Sequence, residues 1–468
     1  MTLSLRPYQT EDLAILLQHD CAGCFNEQRT GKTPVAISVM QARGLDKVLV
    51  VCPASMLYPW ASAWKEWADV DAIICEGTAK KRNKLIESWE HGPLIISYGS
   101  LRNTCRNDGA IELILKKKPE GCIADEAHRF KDPTTATAKA MYRMCRNIRY
   151  RLALTGTPST NAPIDVYGIL HWLYPDTYSS YWRFAEENFR VYDMYTGFNQ
   201  SHKEIGDWLP GRKAIMAEEL SKFTTQRKRR DVMPWLPEKN YIDIKLKPTK
   251  DQLKYITELE QYFETEDVVT QNVLDRILRI RQICTAPEIL NLPSRSPKMD
   301  WILQYITDYP TRPILIFTKF VSAIDILSNL LKEKRVENKA ISGATPTKLR
   351  AEYVKEFQEG KYNVLILQID AGKEGLTLDR AEDIIFIDQF PPAADIQQAE
   401  DRFIATTEER AHKGHTIFRL MLEDTYDMQL YKLVESNAAS IDVINDYIKY
   451  IRKEGETNGM QKQRRLQR

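Results

Sequence analysis

At 468 residues the chain exceeds one ordinary domain and suits two or three. Hydrophobic residues make up 43%, enough for more than one core, and 66 basic residues nearly cancel 64 acidic ones to leave a net charge of +2. That balance excludes a uniformly basic protein that coats nucleic acid, so any contact with nucleic acid must come from local patches. The eight cysteines are scattered in apolar surroundings such as those of Cys52 and Cys122, the pattern of reduced, buried thiols. No apolar run approaches membrane-spanning length, and the N-terminus lacks a charged region followed by an apolar stretch. The expectation is a cytoplasmic protein with no membrane partner.

The first feature in chain order is Cys21 and Cys24, a single C-x-x-C without a second ligand pair at zinc spacing. It reads as a strand leading into a loop. Residues 27–33 follow as Glu-Gln-Arg-Thr-Gly-Lys-Thr, ahead of an apolar-periodic helix from Val35. A nucleoside triphosphate needs backbone N–H groups aimed at its phosphates, a helix N-terminus, a lysine for the β and γ oxygens and a hydroxyl for magnesium. Gly31, Lys32 and Thr33 supply those parts, with Arg29 and Thr30 in the same loop. The Walker pattern calls for glycine five residues before Gly31, where Asn26 stands; asparagine tolerates a left-handed backbone.

Short β-branched runs then recur between helical stretches. They are Val48–Val51, Leu94–Ile96, Cys122–Ala124 and Leu152–Leu154, followed by Ile314–Phe317, Val364–Leu367, Ile384–Ile387 and Thr416–Phe418. Such runs predict strands buried on both faces of parallel α/β sheets. The pattern stops near residue 172 and resumes near 313, with aromatic and charged material and a helical span from Lys250 to Ile283 between. Trp60, Trp64 and Trp67 share one helical face, which reads as core packing rather than a base-stacking platform. The tail from Arg452 has mixed charge and reads as a solvated end. Asp125-Glu126-Ala127-His128 follows directly on the Cys122–Ala124 run. An acid at the carboxyl end of such a strand lies where open α/β sheets bind ligands. Asp125 suits Mg²⁺ held through water, and Glu126 suits the orientation or deprotonation of an attacking water.

These motifs, in this order, resemble the Swi/Snf-like branch of the superfamily-two helicases and translocases, from about Leu5 to Leu433. Leu5-Arg6-Pro7-Tyr8-Gln9 resembles the Q motif, Val50 to Ser55 motif Ia, Ile96-Ser97-Tyr98 motif Ib, and Asp125 to Asp132 an extended motif II of DEAH type. Leu154 to Asn161 is similar to motif III. Gln226 to Val232 with Leu236-Pro237, Gln252 to Tyr255 and Arg281 to Cys284 resemble segments particular to this branch. In the second half, Ile316 to Phe320 resembles motif IV and Ile341 to Thr345 the segment after it. Ala371-Gly372 with Gly375 to Leu378 resembles motif V, and Gln398 to Arg402 the start of motif VI. Two positions depart from the pattern. Asp370 stands where motif V carries arginine, and Ala405 stands where motif VI has its second arginine, with Thr407-Glu408 replacing Gly-Gln. Arg402 acting alone, Arg410 substituting, and slow hydrolysis all remain open.

The resemblance implies two RecA-like parallel-sheet lobes with a mostly helical insertion between them. The expected boundaries are 1–175 for the first lobe, 176–295 for insertion and linker, 296–440 for the second lobe and 441–468 for a charged tail. It implies ATP and Mg in a cleft between lobes, with Lys32, Asp125, Glu126 and Arg402 catalytic. Arg6, Gln9, Arg29, Thr30, Gly31, Lys32, Thr33, Gly375 and Arg402 would hold the nucleotide, and Thr33 and Asp125 the metal. Pro53, Ala54, Ser55, Ser97, Tyr98, Thr318, Lys319, Gly343 and Gly372 would contact DNA, duplex being favoured and a single strand the alternative. The expected protein is a minimal, monomeric motor of bacterial or bacteriophage type, serving replication, recombination or repair with a loader or partner protein. Alternative readings on the same site are a motor that displaces protein from DNA, such as an RNA-polymerase recycling factor, and a slow-turnover ATP-gated DNA clamp.

Overall fold

The structure, a computed structural model, describes residues 4–107, 110–156, 162–195, 201–236, 239–262, 273–372, 378–388, 396, 399–400, 403 and 415–435. The chain forms two compact units, Met1–Pro234 and Trp235–Arg468.

The first unit is built on β1 (Cys21–Cys24), β2 (Val48–Cys52), β3 (Ile73–Cys75), β4 (Pro93–Ser97), β5 (Gly121–Asp125), β6 (Tyr150–Leu154) and β9 (Thr224–Thr225). Their order is β3-β4-β2-β5-β6-β1-β9, and every pairing is parallel. Every residue of β2, β4 and β5 is buried, which explains the unbroken apolar runs: each face meets a helical layer. Leu49 and Val51 enter one core, while Val48, Val50 and Cys52 enter the other. Trp60 and Trp64 belong to the second core. A two-stranded antiparallel ribbon, β7 (Phe189–Tyr195) and β8 (Ser201–Trp208), stands apart from the sheet.

The second unit repeats the plan with β10 (Lys239–Leu246), β11 (Ile314–Thr318), β12 (Asn338–Ile341), β13 (Val364–Gln368), β14 (Asp383–Phe386) and β15 (His415–Leu422). The order is β10-β15-β14-β11-β13-β12, again parallel throughout. Ile314 and Ile316 pack in one core, Leu315 and Phe317 in the opposite one. Helices Lys250–Tyr262 and Val273–Thr285 pack with Leu422, Tyr426 and Leu430 in a satellite core.

Each of the eight expected apolar runs falls on a strand, with Ile387 alone lying one residue past the end of its strand, β14. The stretch 176–295, read from sequence as one insertion, divides between the units at residue 234. It also contributes a strand to each sheet, β9 to the first and β10 to the second. Gly375, Arg402, Ala405, Arg410 and the tail 441–468 lie outside the described residues.

Candidate nucleotide site

In the first sheet β5, β6 and β1 are neighbours, so the loops leaving their carboxyl ends meet at one edge. Helix α1 (Pro7–Leu16) packs over the loop after β1, and helix α2 (Lys32–Ala42) begins where that loop ends. Gly31 caps α2 at φ 79°. At that φ a side chain is strained, and a Cβ would lie 2.1 Å from Gln9 Nε2, so glycine is strongly favoured. Gln9 is itself buried and bonded at both ends of its amide: Oε1 accepts from Arg6 N at 2.8 Å, and Nε2 donates to Thr30 O at 3.0 Å. Tyr8 OH donates to the same carbonyl at 2.8 Å.

Lys32 Nζ donates to the carbonyl oxygens of Asn26 at 2.9 Å and Glu27 at 3.1 Å. The ammonium therefore sits inside its own loop, within reach of an anion cradled by the same backbone. The left-handed residues of this loop are Arg29, at φ 66°, and Gly31; Asn26 is not among them. Asparagine takes the Walker glycine position for a different reason. Its Nδ2 donates to Asp12 Oδ2 at 2.7 Å, and its Oδ1 accepts from Arg227 N at 2.9 Å. A glycine would lose both bonds.

At the end of β5, Asp125 is buried, with Oδ2 accepting from Trp60 Nε1 at 2.9 Å and Oδ1 from Glu126 N at 3.0 Å. Burial first, and then repulsion from Glu126, push its carboxyl up to about 6. Glu126 adopts a left-handed backbone at φ 52°, an uncommon conformation for a residue with a side chain. Its Oε2 is buried and accepts no hydrogen bond. His128 Nδ1 lies 3.3 Å from that oxygen but makes its hydrogen bond with Thr155 Oγ1 at 3.1 Å. Burial outweighs the attraction of Glu126 and lowers the His128 pKa, which favours neutral imidazole at physiological pH. Thr155 N in turn donates to Cys24 O at 3.2 Å. The loops after β1, β5 and β6 thus form one bonded edge.

Several residues sit differently from their sequence expectation. Tyr98 is buried, and its hydroxyl donates to Asp125 O at 2.8 Å. Ser97 is also buried and bonds Ser100 through its hydroxyl. Tyr98 thus braces Asp125 from behind, whereas Ala54 is exposed and Ser55 half-buried; Pro53 is buried. Thr33 lies on the first turn of α2, half-buried. Trp60 was expected only in the core; it also holds Asp125, a role no spacing in the sequence distinguishes from packing.

In the second unit the carboxyl ends of β11–β14 carry the other expected contacts. Thr318 Oγ1 donates to Asp388 Oδ2 at 2.5 Å, and Lys319 N donates to Asp388 Oδ1 at 3.1 Å. Lys319 Nζ forms an ion pair with Asp370 Oδ2 at 2.5 Å, so the acid in the arginine position of motif V faces a neighbouring lysine. Gly343 N donates to Gln368 Oε1 at 2.9 Å, and Gly372 ends the short helix Ile369–Gly372. Glu400, in the motif VI segment, is buried and accepts from Lys239 Nζ at 2.7 Å and Tyr241 OH at 2.8 Å.

Residues 8–289 match the SNF2-related domain, and residues 297–404 the helicase conserved C-terminal domain. An ATP-dependent helicase of Mycoplasma pneumoniae is 27% identical over 419 residues, covering 85% of this chain and 38% of that protein. The mouse DNA annealing helicase and endonuclease ZRANB3 is 23% identical over 419 residues, covering 85% of this chain and 37% of its own length. The chain thus spans under two fifths of these relatives. Among solved structures, a Sulfolobus solfataricus SWI2/SNF2 ATPase core in complex with dsDNA matches with a TM-score of 0.45 and 24% identity. That match covers 93% of this chain and 92% of the other.

Proposed function

The chain belongs to the SNF2-related family, and on that premise we propose that it is an ATP-driven translocase on duplex DNA. One observation carries the proposal: Glu126 Oε2 is buried, accepts no hydrogen bond, and stands beside a second buried carboxylate at the carboxyl edge of a parallel sheet. A buried acceptor left open in this way is placed to orient and deprotonate a water. Lys32, released from the Asn26 and Glu27 carbonyls, would bind the β and γ oxygens, and Gly31 with the first turn of α2 would offer N–H groups to them. Gln9, fixed by Arg6 and Thr30, would recognise the base, and Arg402 is the residue assigned to the γ-phosphate.

Two adjacent acids, one pushed up to about 6 partly by the other's charge, fit a divalent cation that would relieve their repulsion. Thr33 and Asp125 would hold Mg²⁺, which when bound neutralises charge on the phosphates. Trp60 and the Glu126 N–H orient the Asp125 carboxylate. DNA as the track is supported by the DNA helicase among the relatives and by a second-unit edge whose polar groups suit sequence-independent phosphate contacts.

The test is ATP turnover with no nucleic acid, single-stranded DNA, duplex DNA or RNA, followed by triplex displacement. Duplex stimulation together with ATP-dependent loss of the triplex strand is the expected result. If no nucleic acid raises turnover while ATP still changes DNA affinity, the chain is a nucleotide-gated clamp instead.

A further inference from the structure

The chain passes from one unit into the next through residues 224–236 and 239–246, which are bonded to the candidate phosphate loop at one end and to Glu400 at the other. In the first unit it continues alongside β1 and the phosphate loop. Phe25 N donates to Thr225 O at 2.8 Å, and Glu27 N to Arg227 O at 2.9 Å. Arg227 N donates to Asn26 Oδ1, and Arg229 N to Glu27 Oε2 at 2.8 Å. The Arg227 guanidinium pairs with Asp12 at 2.9 Å, whose side chain is fully buried, and with Glu11 at 3.0 Å. Charge-assisted bonds to a buried acid are among the stronger polar contacts a protein makes.

In the second unit the same segment becomes β10, in parallel register with β15 from Lys239↔His415 to Leu246↔Leu422. Lys239 and Tyr241 converge there on Glu400, two residues before Arg402.

The identity of the gripped residues matters most. Lys32 Nζ donates to the carbonyls of Asn26 and Glu27. The connector holds these same two residues, through the Asn26 amide and through the N–H and carboxylate of Glu27. When Lys32 turns to a phosphate, both carbonyls lose their donor, and the peptide units that respond are the ones the connector grips. We infer that residues 224–236 and 239–246 act as a nucleotide-responsive tether, fastened to the phosphate loop in one unit and to Glu400 in the other, with Arg227 as its positioning residue. The inference rests on the proposed nucleotide site. Long-range coupling requires an element that both ends can bias, and this segment is bonded to the phosphate loop and to Glu400.

Amide hydrogen exchange on the full chain, with and without saturating Mg²⁺·ATPγS, tests it directly. Exchange is expected to slow about threefold or more in peptides covering 26–33 and to change by a similar factor in those covering 224–232 and 239–246. Protection of 26–33 with no change in 224–232 overturns the tether and leaves the nucleotide site standing. No protection at 26–33 overturns the nucleotide site itself. Arg227→Ala, read at saturating nucleotide, should retain the effect at 26–33 and lose it at 224–232, with Arg227→Lys intermediate. Should Arg227→Ala lower only the melting temperature and leave the nucleotide effect at 224–232 intact, Arg227 is structural and its assignment fails. Tyr241→Phe combined with Lys239→Ala should remove the response at 239–246 alone; an undiminished response there overturns the second anchor.

Discussion

The carboxyl edges of the two sheets are built alike and finished differently. In the first unit the edge stores electrostatic tension. Asp125 is pushed up to about 6, Glu126 Oε2 is buried without a donor, and Lys32 is held by carbonyls it can exchange for phosphate. In the second unit the expected contacts have internal partners. Asp388 takes Thr318 and the Lys319 N–H, Asp370 takes the Lys319 ammonium, and Gln368 takes the Gly343 N–H. Tension of the first kind is what bond cleavage needs; satisfied groups of the second kind suit gripping and releasing a strand. On the proposed function, one sheet architecture would support chemistry in one copy and holding in the other.

The largest effect should come from Lys32→Ala, lowering ATP turnover about 100- to 1000-fold because the charge on the phosphates loses its only lysine in the loop. Glu126→Gln should cost about 100-fold or more in turnover while retaining nucleotide binding, checked by comparing kcat with the affinity for a fluorescent ATP analogue. Asp388→Ala is the counterpart in the second unit. It leaves the buried Thr318 hydroxyl and the Lys319 N–H without their acceptor, and should destabilise that unit by about 1–3 kcal/mol in denaturant melts. A catalytic defect at unchanged stability would instead break the division between the two edges.

Smaller effects sharpen the contrast. Asp125 would hold the cation as a carboxylate, and without a cation its pKa is raised to about 6, so Mg²⁺ binding, and with it turnover at limiting Mg²⁺, should weaken as pH drops through about 6. Trp60→Phe removes a hydrogen bond that favours the ionised form, and should move that midpoint upward by about half a unit to one unit. A pH–rate profile unchanged by Trp60→Phe would reduce Trp60 to core packing. The mildest change is Asp370→Asn. By releasing Lys319 it should tighten duplex binding about threefold at low salt and steepen the salt dependence by roughly one phosphate contact. Lys319→Ala should cancel that gain.

The central strands were legible because a strand buried on both faces has to be apolar throughout, as in Val48–Cys52 and Ile314–Thr318. Edge strands were not. β10 reads Lys-Asn-Tyr-Ile-Asp-Ile-Lys-Leu with no fully buried residue, and β9 is a two-residue strand that only its pairing with β1 defines. In the candidate site, Gly31, Lys32, Asp125 and Glu126 could be singled out in the sequence because they are the residue types that phosphate and water chemistry would need close together. The supports did not. Asp12, Asn26 and Arg227 meet across more than two hundred positions, and a tryptophan that holds an acid occupies the same helical face as one that merely packs. The Asn26 substitution was visible, but its meaning lay in a side-chain bridge rather than in backbone freedom.

The central claim is that the first unit's edge is an ATP-hydrolysing site coupled to duplex DNA. The most direct measurement is steady-state ATP turnover by the wild-type chain and by Glu126→Gln, each with and without duplex. Turnover that duplex raises severalfold in the wild type, and that Glu126→Gln abolishes without loss of nucleotide binding, is the result the account predicts. Equal turnover in the two proteins would contradict it.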